Sequence, residues 1–546
     1  MFPPSFYDKL DPQYREKLVE LLEAIESADT NLENLIFKFS NQFLTPKEIW
    51  IKLKVIMISS PTLMKLNVFK TSIFHLFYDF ESEDVRSMYS ESMWWKLYDF
   101  DTNTSSINVT NFGYPQKYLD KKLTKYERDA HSFLSQTFRQ NFKRMKMLYS
   151  KIKSVEENVE EWFEALIEVE DEEFIEDNVE NRIGNDLTNK KLWKMFFQYL
   201  KWINNKQKLL QTYSKYCRFF IGDTEMLEEY RYVAGNQKVP VPWKNPFDFE
   251  LYDENFFVEP KAPAPFCAKN EPLSPIPHFN DENVSTQTFP FRPNLMHYIL
   301  KSANAFVLHN LFKTCKWFYH YYPVRICYKF DTQFHVDNKI EICEQSFNVN
   351  PHTLNRTKID KIFISTCLNV SDLYKQNDFS RFIPRIYRCT AKYISIENQK
   401  LSDKEMEFLI GHGNVEDLNL KRVRNCKTDY FILDDILKMI PKIKFLTIFG
   451  IQCSPKTRQM LYELEFQNEI EILDLIDIRN ALLEPKAFAE FINKHLSSEF
   501  ERCYVHFSYF NGRKDFVKSF EEIFEKCLDE KWKVENGLVD GIQILA

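Results

Sequence analysis

Between Lys208 and Phe220 the apolar positions Leu209, Leu210, Tyr213, Tyr216, Cys217 and Phe220 fall on one face of a helix. The same spacing, broken by short polar connections, runs from the start of the chain to about position 235 and predicts a row of helices, each needing a partner for its apolar face. Further along the chain the period changes. Short alternating segments, KIFIS, KYISI, EDLNL, KFLTI, EILDL and CYVHF, are centred on Ile364, Ile396, Leu420, Ile448, Leu475 and Phe507. Successive centres are separated by roughly 24 to 32 residues, room for one strand and one helix per unit. Several intervening helices carry start or stop signals: Ser402 with Glu405 as a capping box, Ser454 with Pro455 in a first turn, and a stop at Pro441. The expected fold class is mostly α with a C-terminal α/β part, the latter a curved parallel sheet with helices outside.

Residues 236 to 290 belong to neither pattern. They are rich in proline, lack helical period, and read as a linker or an extended strap; Trp243, Phe247, Phe249, Phe256 and Phe257 favour partial docking. Residues 291 to 325 return to helical spacing, and the strand-rich part occupies 326 to 546. The helical part, 1 to 235, also repeats internally. VRSMYSESM, MKMLYSKIK and LLQTYSKYC share a Tyr-Ser core at Tyr89, Tyr149 and Tyr213, and Trp50, Trp94, Trp95, Trp162 and Trp193 enter helices around them. Helix pairs repeating every ~30–40 residues bury their apolar faces by stacking into an α-solenoid. Aromatic stripes at helical spacing are ordinarily core, so these residues define a repeat rather than a ligand site.

A helix with W-x-x-[YF], followed by one with an aromatic before a charged residue, resembles the half-a-TPR (HAT) repeat of RNA-processing proteins. Residues 35 to 235 look like the pre-mRNA-processing factor 39 family, and the resemblance rests on Trp95 with Tyr98, Trp162, Trp193 with Phe196, and Tyr213. Thr102 and Leu200 stand where the repeat usually has Glu, and Lys215 where it has Arg. The resemblance implies a HAT-type α-solenoid and a non-catalytic scaffold in pre-mRNA splicing at the 5′ splice site. Its partners would be spliceosomal snRNP proteins, with RNA association through those proteins, a nuclear location, and pairing of two copies through the repeats.

The stretch FRPNLMHYILKSANAFVLHNLFKTCKWFYHYYPV, residues 291 to 324, is similar to an F-box in the order and spacing of Leu295, Met296, Ile299, Leu300, Leu311, Cys315, Lys316 and Trp317. Arg292 replaces the usual early proline, and Thr314 replaces valine. The strand-and-helix period after it matches leucine-rich repeats, and the pair resembles the nematode F-box families. That resemblance implies an F-box-like helical hairpin, followed by a leucine-rich-repeat-like solenoid. The protein would then be a substrate receptor of a cullin-type ubiquitin ligase, with Leu295, Met296, Ile299, Leu300, Leu311, Cys315 and Trp317 on a Skp-type adaptor, in nucleus or cytoplasm. A helical hairpin capping the following domain would bury the same residues.

At 546 residues the chain exceeds one ordinary core, and a net charge of -7 gives no global attraction to phosphate backbones. From Glu156 to Glu180 acidic side chains recur without a single Lys or Arg, interrupted by Trp162, Phe163, Leu166 and Ile167. This reads either as a helix with one solvated face and then an acidic loop, or as a surface for a basic partner. The basic stretches at 138 to 153 and 419 to 427 are short and read as solvated faces. Eleven scattered cysteines without C-x-x-C signal neither a disulfide framework nor a zinc site, which suits a reducing compartment. No apolar run is long enough to suggest a membrane span.

Ten glycines are too few for phosphate-cradling loops, and H-E-x-x-H, G-x-S-x-G and G-K-[ST] are missing. Gly411-His412-Gly413 follows a predicted helix and reads as its C-terminal cap. His297, His309 and His320 fall about 120° and about 20° apart around an ideal continuous helix, and the expected hairpin separates them further, so they are not read as metal ligands. The expectation is a non-enzyme with no catalytic residues, cofactor or metal.

Overall fold

The computed structural model describes residues 4–27, 32–56, 68, 70–78, 96–99, 107–257, 291–332, 341–343, 345–349, 354, 359–371, 378–498, 502–507, 513–534, 537–538 and 542–545. Trp94, Trp95, Tyr89 and residues 258 to 290 of the proline-rich stretch lie outside them. The chain divides into two compact units, Met1–Asp120 with Gln136–Ser274, and Lys121–Ser135 with Pro275–Ala546. The mostly-α reading with a C-terminal α/β part holds at that level: helices dominate the first unit and a large parallel sheet the second.

In the first unit, α1 (Pro12–Ser27), α2 (Leu32–Ser40) and α3 (Lys47–Ile56) pack in succession. The chain then reaches α4 (Leu119–Asp129), most of which belongs to the second unit. Returning to the first unit come α5 (Gln136–Ser154), α6 (Val159–Ile167), α7 (Glu172–Asn185), α8 (Lys190–Trp202), α9 (Lys206–Cys217) and α10 (Thr224–Ala234), each packed on the next. Helices α6 to α10 all start at an Asn or Asp (Asn158, Asp171, Asn189, Asn205, Asp223) whose side chain accepts a first-turn backbone N–H. The expected acidic loop after α6 is instead helical: Asp171 caps α7, and Glu172 and Glu173 sit in its first turn, where the helix dipole favours them.

The strap reading of the proline-rich stretch describes its first part well. Strands β1 (Val239–Val241) and β2 (Glu250–Tyr252) form a short parallel pair, and Val239, Val241 and Trp243 are buried in the core of the helical unit. Glu250 latches this strap to α9 and α10. It accepts from Ser214 Oγ (2.8 Å), Tyr230 OH (2.9 Å) and Arg218 Nη2 (2.5 Å).

The second unit begins with α11 (Pro293–Ser302), α12 (Ala305–Thr314) and α13 (Lys316–Tyr321). There follow β3 (Arg325–Asp331), β4 (Glu341–Cys343), β5 (Ser346–Asn348), β6 (Ile362–Val370), α14 (Asp378–Phe382), β7 (Ile386–Cys389), β8 (Tyr393–Glu397), α15 (Asp403–Ile410), β9 (Asp417–Lys421) and α16 (Leu433–Met439). The remainder is β10 (Phe445–Gln452), α17 (Thr457–Glu463), β11 (Ile472–Ile478), α18 (Pro485–His495), β12 (Arg502–Phe507), α19 (Arg513–Cys527) and β13 (Ile542–Leu545). These strands form one sheet in the order β13-β12-β11-β10-β9-β8-β6-β3-β5-β4, with β7 beside β6 and the pair Phe431–Ile432 beside β10. From β6 to β13 the strands along this path pair in parallel with their successors.

All six strands expected from the alternating pattern are present, but hydrogen-bonded register evens out their period. Val370, Ile396, Leu420, Ile448, Leu475 and Val505 are the aligned positions, and the separation between neighbours is then roughly 24 to 30 residues. Ile364 and Phe507 fall off these aligned positions: Val370 of β6 pairs with Ile396, and Val505, not Phe507, pairs with Leu475. Ile394 and Ile396, Leu418 and Leu420, Leu446 and Ile448, and Leu473 and Leu475 point into a core shared with α15 to α18. The capping box at Ser402 is formed: its backbone N–H donates to Glu405 Oε2 (2.7 Å) and its Oγ accepts from Glu405 N (3.3 Å). Helix α16 stops before Pro441, and Gly411 caps α15 by donating its N–H to Glu407 O (2.7 Å). Helix α17 starts after Pro455 rather than at it, because Ser454 and Thr457 both donate to Asp434 and hold a turn there.

Candidate functional site

Each F-box-like residue is placed in the second unit. Met296 and Leu300 are buried with Ala305, Leu308, Phe318 and Val324 against Phe363 of β6. Ile299, Leu311, Cys315 and Trp317 are half-buried at the edge of that cluster. Leu295 is different: it is 44% exposed, on the outer face of α11 with Tyr298 (67%) and preceded by the exposed Phe291. Trp317 stacks on Tyr321 at 4.8 Å between centroids, and His297 of α11 meets Tyr321 edge-on. The motif therefore serves two ends. Its i and i+4 positions 296 and 300 anchor the helices on the sheet, while its outward positions leave an apolar face uncovered.

The sheet face opposite the helical core carries ordered rows. Tyr393, Asp417, Phe445, Ile472 and Arg502 align across β8 to β12, and Ser395, Asn419, Thr447, Asp474 and Tyr504 form the next row. Arg502 Nε donates to both carboxylate oxygens of Asp474 (3.0 and 2.9 Å), and Asn419 Oδ1 is buried without a hydrogen bond. Onto the first row lies a segment that the sequence reading had placed among the HAT-like helices. Glu127 of α4 accepts from Tyr393 OH (2.8 Å) and Lys392 Nζ (3.4 Å), and its carbonyl accepts from Tyr328 OH (3.0 Å). Arg128 pairs with Asp417 (2.5 Å) and lies over the rings of Tyr393 and Phe445 at 5.3 and 5.1 Å. Burial raises the Asp417 carboxyl pKa, with Arg128 opposing it. Beyond the helix, the His131 carbonyl accepts from Gln345 N and Ser346 Oγ, and Phe133 packs on Phe306 and Tyr328. A sequence signal for this was available: LDKKLTKYERD carries only a thin apolar stripe, Leu119, Leu123 and Tyr126, on an otherwise charged helix.

In the first unit most of the described repeat-defining aromatics are core, as their spacing implies, whereas Tyr149 is half-buried and donates to Asp99. Tyr213 stacks on Phe197 (4.3 Å) and faces Tyr230, Trp193 meets Tyr216 edge-on, and Phe196 is fully buried. Trp162 Nε1 donates to Tyr98 OH (3.3 Å), which donates to Glu156 (2.7 Å), at the edge of a polar cleft of about 350 Å³. The buried carboxylate Glu180 is paired internally. Burial alone would raise Glu180, but Lys208 (2.9 Å) and Lys215 (3.0 Å) outweigh it and hold the carboxyl at about 2. Burial pushes Asp177 up to about 7 and the fully enclosed His75 down to about 3.

Among the described residues no group of three or more His, Cys, Asp or Glu side chains gathers to hold a metal, and no helix is long and apolar enough to cross a membrane. The cysteines whose side chains are described are free thiols, and burial raises those at 217, 327, 367, 389, 453 and 503 away from the reactive thiolate. The fold thus defines a helical unit and a parallel α/β unit. Neither a protein-family model nor a curated protein sequence matches the chain significantly.

Proposed function

We propose that this chain is a non-catalytic protein-recognition subunit, an F-box-type substrate receptor of a cullin-type ubiquitin ligase. Its second unit would be a leucine-rich-repeat-like solenoid that holds the target, and its F-box-like helices would hold a Skp-type adaptor. The observation that carries this reading is the split of the motif on α11: Met296 and Leu300 anchor the helix, and Leu295 and Tyr298 remain uncovered immediately ahead of an array of strands laid down in chain order. An exposed apolar face next to the strand array suits a protein partner.

A splicing scaffold built on a HAT-type solenoid is the second reading, favoured by one regularity. Trp50, Trp162 and Trp193 each occupy the fourth position of their helix, all three are buried, and the latter two lie one helix pair apart. The Trp50 and Trp193 indoles also donate alike, to the Thr45 and Leu187 carbonyls just upstream. In this reading the partners are snRNP proteins, RNA is contacted through them, and the location is nuclear.

Affinity purification of the intact protein from its own cells, beside a Leu295→Glu, Tyr298→Glu variant, separates the two. Both substitutions sit on exposed positions and spare the anchoring core. Recovery of an adaptor and a cullin, lost in the variant, supports the receptor. Spliceosomal proteins recovered equally with both chains would sink it in favour of the scaffold.

A further inference from the structure

We propose that residues 121–135 act as an intramolecular ligand of the sheet face. In this proposal a partner protein binds in their place, presenting a helical turn with adjacent carboxylate and guanidinium groups and an aromatic side chain shortly after them. The inference rests on reading the second unit as a recognition module and names the chemistry that its face selects.

Three observations carry it. First, the segment is held the way a ligand is held. Glu127 and Arg128 meet complementary partners, Lys392 with Tyr393 and Asp417, while Phe133 docks among Phe306, His309 and Tyr328 as an aromatic anchor. Second, the core of the sheet is complete without it: no residue of 121–135 belongs to the large apolar cluster beneath the strands. On the strands β8 and β9 the segment is held by its polar pairs, while its apolar side chain Phe133 packs beside the smaller cluster around Met296, Leu300 and Leu308. Third, the fit is imperfect. Arg128 Nε and His131 Nδ1 are both buried without a hydrogen bond, and such unsatisfied groups are an energetic penalty that a better-matched ligand avoids. A tethered ligand of this kind acts at an effective concentration of about 1 mM, so moderate intrinsic affinity suffices to keep the face occupied. An external ligand is then weakened in proportion to the fraction of open faces.

The test uses a fluorescent peptide of residues 119–135 and the full-length chain. Wild-type protein should bind the peptide weakly. A chain carrying Arg128→Ala and Phe133→Ala, whose own segment is loosened while the face is intact, should bind it at least 10-fold more tightly. Adding Asp417→Asn to that chain should remove the gain. Equal binding by all three chains overturns the proposal. If the loosened chain fails to fold, wild-type protein is examined by hydrogen exchange with millimolar peptide. Faster exchange at 121–135 of the chain, with strands β8 and β9 unchanged, supports displacement; no change overturns it. Peptide binding does not use the outward side chains Leu295 and Tyr298 of α11, so its failure is distinguishable from a failure to recover an adaptor.

Discussion

Glu250→Gln is the most demanding perturbation of the helical unit. Glu250 is fully buried and Arg218 nearly so, with side-chain exposures of 0% and 2%. The carboxylate accepts from Arg218, Ser214 and Tyr230, and also from Phe247 N (2.9 Å). Glutamine keeps the shape but turns an acceptor into an amide donor against a guanidinium that burial already strains toward losing its charge. Breaking one side of such a pair costs about 3–5 kcal/mol, because the remaining cation stays out of water. At roughly 2–4 °C per kcal/mol for a unit of this size, the midpoint of its unfolding should fall by about 6–20 °C. Calorimetry of the full chain reads that shift, and fluorescence of Trp243, over whose ring the Arg218 guanidinium lies at 5.1 Å, reports locally. The double variant Arg218→Met, Glu250→Gln should recover most of the loss, since the charge that made the single change costly is gone. A loss below about 1 kcal/mol in the single variant would refute the reasoning that Glu250 latches the strap.

Three further outcomes follow from the same geometry. Gly184→Ala drives a methyl carbon into the Leu76 backbone carbonyl, so α7 must shift; urea unfolding should show a loss of at least about 2 kcal/mol. Asp177 titrates near 7 in the fold against 3.8 ordinarily. The folded state therefore holds the extra proton, and stability declines as pH rises from about 4 to 7. Asp177→Asn should flatten that slope and raise stability at pH 8 by about 1–3 kcal/mol in pH-dependent denaturation. Trp193→Ala should cost about 3–5 kcal/mol in the helical unit while leaving peptide capture by the sheet face intact, measured on one sample by calorimetry and anisotropy.

What the sequence disclosed was periodicity, and periodicity reports burial within an element. The helical face of Leu209 to Phe220 and the alternation in KYISI, EDLNL, KFLTI and EILDL each mark which side faces a core, and each is found as read. The strand centres at Ile364 and Phe507 were misaligned because register depends on hydrogen bonding with a neighbour, which no single segment encodes. The caps Asn158, Asp171, Asn189, Asn205 and Asp223 were legible but lay in an acidic, asparagine-rich background where such residues also read as loops. For the candidate site, spacing gave the motif at 295 to 317 but not its division. Leu295 and Met296 are adjacent in sequence and equally apolar, and only the sheet beneath α11 decides which is anchor and which is surface.

The least legible feature has the largest consequence for how the protein is cut. A boundary near residue 270, the natural choice from the proline-rich stretch, separates the sheet from residues 121–135, which belong to its unit. A fragment of residues 275 to 546 therefore bares Tyr393, Asp417 and Phe445 and leaves Phe306 and Tyr328 without Phe133. Because a ligand that binds only the folded state stabilises it by mass action, peptide 119–135 at 100 times its dissociation constant should stabilise that fragment by about 2.7 kcal/mol. The same peptide with Arg128→Ala should give a smaller shift at equal concentration. Thermal unfolding of the fragment with each peptide measures both. A fragment indifferent to either peptide would mean that the covalent connection, rather than the recognition of Glu127, Arg128 and Phe133, keeps the segment on the sheet.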